Sequence, residues 1–124
     1  MKKILIAAIL SLGIIACGKQ EVKIEYGKEY KVKDGNQTIV FEKDKIHGFA
    51  GVNNYFGNYK LEKDYFKAKE MGVTMMAGDK KSMESEAKFL DELAGASKIE
   101  TKGNELILKS KDDVKLKFYL MNNL

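Results

Sequence analysis

Few side chains in this sequence could do chemistry beyond holding a fold. There is one cysteine, Cys17, and one histidine, His47; all basic side chains are lysines, and proline and tryptophan are absent. A lone thiol and a lone imidazole cannot build a multi-ligand Cys/His metal site, and neither has the partner that nucleophile-base chemistry needs. An isolated histidine on a strand reads as a surface or pocket-edge residue. Met71, Met75, Met76 and Met83 could hold Cu(I) through their thioethers. No His or Cys supports them, and Met71 and Met75 would share a strand face while Met76 points the other way, so core filling is expected. The acid that stands out is Glu86, which at 100° per residue falls between Leu90 and Leu93 on the apolar arc of a helix. A carboxylate there needs partners. Either it accepts hydrogen bonds from amides of the Gly51 to Gly57 turn or pairs with a lysine, tying helix to loop, or it is a raised-pKa acid in a cleft. No second carboxylate lies at a catalytic spacing, which favours the bracing role; Asn53 and Asn54 are read as bracing the same turn. No metal, no cofactor and no enzymatic activity are expected.

The elements that position these residues follow from patterning. Met1-Lys2-Lys3 is a short basic start, and the apolar run from Ile4 to Ala16 is about 13 residues long, short of the roughly 20 that span a bilayer. This is a secretory leader. Its end, Ile14-Ile15-Ala16-Cys17, resembles the lipobox of bacterial lipoproteins, in which the cysteine becomes the acylated first residue. The resulting plan is a signal peptide over 1–16, a lipidated N-terminus and tether over 17–29, and a folded domain over 30–124. Gly18, where an aspartate would favour retention in an inner membrane, leans toward an outer membrane facing the periplasm, if the cell has one. The formal charge of +4 falls to +2 when Lys2 and Lys3 leave, with twenty lysines then facing eighteen acids. Without arginine, such a domain lacks the equipment for nucleic acid. Lys31, Lys33, Lys60, Lys109, Lys115 and Lys117 fall at solvent-facing positions, a solvated face first and a weak anionic-lipid or acidic-polymer surface second.

From Tyr30 onward the apolar residues mostly alternate: Tyr30 and Val32; Ile39 and Phe41; Tyr59 and Leu61; Tyr65, Phe66 and Ala68; Leu106 and Leu108; Val114, Leu116, Phe118 and Leu120. Turn formers separate them at Asp34-Gly35-Asn36, Glu62-Lys63-Asp64, Lys102-Gly103-Asn104 and Lys111-Asp112-Asp113, which predicts hairpins and an antiparallel sheet. Met83, Ala87, Leu90 and Ala94, widened by Phe89 and Leu93, predict one amphipathic helix over about 81–94, ended by a left-handed Gly95. The fold expected is mainly β: a small lipocalin-like or partly open barrel of about 7–8 antiparallel strands with one helix.

The stretch from His47 to Tyr59 holds three glycines, three asparagines and four aromatics in 13 residues, so it can turn sharply while Phe49, Tyr55, Phe56 and Tyr59 pack inward. Its Gly48-Phe49-Ala50-Gly51, Asn53, Tyr55, Gly57 and Tyr59 resemble the signature of the META domain family, whose HslJ-like members are envelope lipoproteins. Thr74-Met75-Met76-Ala77 resembles that family's Thr-Arg-Met-Ala-Cys strand, and Met83, Glu86, Phe89, Leu90 and Leu93 match its helix. The resemblance covers roughly Tyr30 to Leu120. Val52 and Gly78 stand where the family usually carries cysteines, and Tyr30 stands in place of its early tryptophan. Joint loss of both thiols implies that the two segments touch. The resemblance implies a non-enzymatic, monomeric lipoprotein, a binding or stress-tolerance module held on a membrane through its N-terminal lipid, with an envelope protein or a small apolar ligand as partner. The alternative, an inhibitor of an envelope hydrolase, would require the Gly48 to Gly57 turn to project outward instead of packing beneath the helix.

Overall fold

The computed structural model describes residues 21–121. Among them are eight strands and one helix: β1 (Glu29–Val32), β2 (Thr38–Phe41), β3 (Lys45–Phe49), β4 (Asn54–Glu62), β5 (Tyr65–Val73), α1 (Lys80–Gly95), β6 (Lys98–Lys102), β7 (Glu105–Ser110) and β8 (Asp113–Leu120). Each strand pairs antiparallel with the next, and β8 returns to pair with β1, so the sheet closes on itself. Closure is thinnest between β5 and β6, which share a single registered pair, Tyr65 with Lys98. The chain passes between these two strands through α1. The four expected turns all join hairpins, and a fifth, Glu42 to Asp44, joins β2 to β3.

Alternation places Tyr30, Ile39, Phe41, Ile46, Phe66, Leu106, Leu108 and Phe118 inside, where they form one core with Phe89 and Leu93 of α1. The aromatics meet mostly edge to face, as Phe41 does with Tyr59 at 5.4 Å between ring centroids. Val114 does not join them. A bulge between Leu108 and Lys109 sets Val114 opposite the outward Lys109, and it is 53% exposed.

The helix begins at an Asp79 cap whose carboxylate accepts the Ser82 amide at 3.2 Å. Its inner face carries Glu86, Phe89 and Leu93. Ala87 and Ala94, expected in the apolar stripe, face solvent: the large side chains set which side is buried, and a methyl group adds little to that choice. Gly95 does not adopt the expected left-handed conformation. The helix runs through it, and the buried Ala96, at φ −69° and ψ 142°, leads directly into β6.

Residues ahead of β1 dock on the barrel. The Lys23 amide donates to Thr101 Oγ1 at 2.7 Å, the Glu25 amide to the Tyr30 hydroxyl at 2.9 Å, and the Gly27 amide to Phe41 O at 2.9 Å. Val22 and Ile24 pack against the core. This segment crosses the barrel end formed by the β2–β3, β4–β5 and β6–β7 turns. The opposite end is covered by α1.

Candidate functional site

The densest polar constellation lies where α1 crosses the β3–β4 turn. Gly51 adopts φ +132° and its α-carbon faces Glu86, with any added Cβ meeting the Glu86 Cβ at 3.5 Å. This brings the following two amides onto one carboxylate oxygen: the Val52 amide donates to Glu86 Oε1 at 2.9 Å and the Asn53 amide at 2.6 Å. The second oxygen, Oε2, accepts from Asn53 Nδ2 at 2.9 Å. Glu86 is 5% exposed and Asn53 is 3% exposed. Burial pushes the Glu86 carboxyl up, but the Asn53 side chain and the Asn53 and Val52 amides outweigh it and hold the group below the usual glutamate range.

Asn53 spends its whole side-chain capacity here. Besides Glu86, its Nδ2 donates to Met76 O at 3.0 Å, while its Oδ1 accepts the Thr74 hydroxyl at 3.0 Å and the Met76 amide at 2.6 Å. Thr74 Oγ1 in turn accepts the Asn54 amide at 3.1 Å. Gly51, Asn53, Thr74, Met76 and Glu86 thus form one network joining the turn, the helix and the irregular segment between β5 and the helix. Beside it, a Cβ placed on Gly78 would lie 2.8 Å from Val52 Cγ2 and 3.6 Å from Val52 Cβ, so the valine fills the space at the glycine. The two segments touch.

Gly48 and Tyr55 belong to a second, adjoining cluster. They are register partners, and a Cβ on Gly48 would lie 2.2 Å from Thr38 O. The missing side chain lets the buried Tyr55 hydroxyl donate to that same oxygen at 2.6 Å. Burial pushes the Tyr55 phenol up, so it stays a donor at any physiological pH. Tyr55→Phe is expected to cost about 1–2 kcal/mol, measured as a lower denaturation midpoint at unchanged slope. Thr38, which sequence reading passed over, also takes the Phe49 amide on Oγ1 at 2.9 Å; nothing in a Thr-Ile-Val-Phe strand marks its first residue as an acceptor.

Other expected residues lie elsewhere. Gly57 sits at a bulge, where an added Cβ would meet Met71 Sδ at 2.6 Å. Tyr59 donates its hydroxyl to Glu42 O at 2.8 Å, at the end crossed by the N-terminal segment. Cys17 lies outside the described residues. Phe56 points outward at 54% exposure and lies over Gly72, because strand alternation sends it opposite to Tyr55. The methionines divide. Met71 packs on the core, whereas Met75 and Met76 follow β5 in irregular chain and are 95% and 64% exposed, correcting the core-filling expectation for these two. His47 is exposed, with Nε2 3.7 Å from Glu42 Oε2. No group of three or more potential His, Cys, Asp or Glu ligands comes together among the described residues.

The META domain family model matches residues 20–122. An NMR structure of a protein from Burkholderia xenovorans is similar at a TM-score of 0.61 and 14% identity, covering 90% of this chain and 100% of that one. A second NMR structure is similar at a TM-score of 0.58 and 20% identity, covering 77% of this chain and 92% of that one. These likenesses show a shared fold. No curated protein sequence matches the chain.

Proposed function

This chain belongs to the META domain family, and on that premise we propose that it is a non-enzymatic, lipid-anchored module of the cell envelope, binding an envelope partner through its outer surface. The observation that carries the reading is the full engagement of Glu86. Both oxygens of this buried acid are taken by Val52 and Asn53, so it serves to hold a loop. The barrel interior is occupied by its own side chains, which directs binding to the exterior and makes a protein surface a better fit than an apolar ligand held inside. The β3–β4 turn packs beneath α1 and does not project, which counts against a hydrolase inhibitor acting through that turn. The role in stress tolerance belongs to the same proposal.

Anchorage rests on the Ile14 to Cys17 segment. Cys17→Ser is expected to abolish metabolic labelling with palmitate and to release the chain from the membrane fraction, since several acyl chains and not the short leader would hold it. Retention of the variant on membranes would overturn the anchor. Crosslinking in intact envelopes, with the anchored and released forms compared, tests for the partner.

A further inference from the structure

The barrel end from which the N-terminal segment emerges carries an open cleft of about 590 Å³ lined by Tyr26, Lys43, Asp44, Tyr59, Lys60, Leu61 and Lys69. Three lysines face one acid there. None of the three lies within 4.0 Å of a carboxylate among the described residues, whereas Lys28, Lys98 and Lys109 do. The lysines come from the β2–β3 turn and from β4 and β5, and the successive pairing of β3 with β4 and of β4 with β5 gathers them. Tyr26 is 55% exposed on the docked segment, with its phenol beside that of Tyr59. Tyr59 has committed its hydroxyl to Glu42 O. An amphipathic ring next to several ammonium groups suits the headgroup level of a bilayer, where tyrosine is enriched and lysine meets phosphate.

Position supplies the second argument. Cys17 precedes Glu21 by four residues, a reach of at most about 14 Å. Glu21 to Lys28 then crosses the barrel end on which the cleft opens, held to Thr101 at one side and to Phe41 at the other. A chain anchored at Cys17 therefore presents this end to its own membrane. We propose that the Lys43, Lys60 and Lys69 cleft binds the phosphate of an anionic lipid headgroup, fixing the orientation of the barrel on the bilayer. The proposal rests on the lipid anchorage above for its geometry, but the cleft can be tested without it.

The test uses the chain from residue 17 carrying Cys17→Ser, so that no acyl chain contributes, and measures cosedimentation with vesicles of phosphatidylcholine alone or with phosphatidylglycerol added. Binding is expected only with the anionic lipid. A chain with Lys43→Gln, Lys60→Gln and Lys69→Gln should bind about a hundredfold more weakly, since each lysine near an anionic surface contributes about fivefold. A control with the same charge loss on the far side of the barrel, Lys31→Gln, Lys115→Gln and Lys117→Gln, should keep most of its binding. Thermal melts of both variants establish that they fold. Equal loss in the two variants would assign the effect to net charge and overturn the cleft. So would equal binding to both vesicle types, or saturation of the cleft by inorganic phosphate without vesicle binding, which would make it a site for the free ion.

Discussion

Glu86→Ala is expected to lower the unfolding free energy by about 3–5 kcal/mol, because it strands three donors at once in a buried site. Two are the Val52 and Asn53 amides and the third is Asn53 Nδ2. Asn53 cannot turn its amide over to recover, since its Oδ1 already serves the Met76 amide and the Thr74 hydroxyl. For the same reason Glu86→Gln should cost less than alanine yet remain destabilising: its oxygen can keep the two backbone amides while its NH2 faces that of Asn53. Chemical denaturation of the three chains checks the order, and an unchanged midpoint for alanine would refute the bracing role. The pH dependence carries a sign. Because the folded carboxyl is held below its unfolded value of about 4.3, the stabilisation is fully present above that pH and is lost as pH falls through the folded value. The stability gap between wild type and Glu86→Gln should therefore be constant near neutrality and narrow in acid.

Cysteines placed at both Val52 and Gly78 are expected to form a disulfide spontaneously in oxidising conditions and to stabilise the domain by about 3–4 kcal/mol, the value for closing a loop of about 26 residues in the chain-entropy picture. The 3.6 Å between Val52 Cβ and a Cβ built on Gly78 lies within the bridging range, and the Gly78 backbone is outside the left-handed region, so a cysteine fits without strain there. Reduction should return the midpoint to that of the single variants. Two titratable thiols in the oxidised, folded double variant would show that the segments are farther apart than the structure places them.

Much of this arrangement was legible from one-dimensional pattern. Period two identified the strands because each has one face on the core, and the contact between Val52 and Gly78 followed from the joint absence of two family cysteines. The Glu86 brace was legible because a charge on an apolar arc demands donors, and a glycine-asparagine turn is rich in free amides. What stayed hidden depends on register. The bulge that turns Val114 outward leaves no mark on its own residues, and the exposure of Met75 and Met76 follows from β5 ending at Val73. Thr38 as an acceptor, and the gathering of Lys43, Lys60 and Lys69, exist only once consecutive strands have paired in register.

The single pair between β5 and β6 has a consequence for how the molecule behaves among its own copies. Past Tyr65, the side of β5 facing away from β4 has no strand beside it among the described residues, and α1 lies there instead, with Lys67 Nζ donating to Ala94 O at 3.1 Å. Backbone left in that state is a template on which a second chain can lay a strand. The helix is therefore a guard against polymerisation, and its fastening to the β3–β4 turn sets how firmly the guard is held. Lys67, Lys69 and Glu70 line the same stretch of β5 with charge, a second barrier that would remain if the helix swung away. A chain loosened at Glu86 would meet its first hazard in assembly through β5, before the barrel itself came apart.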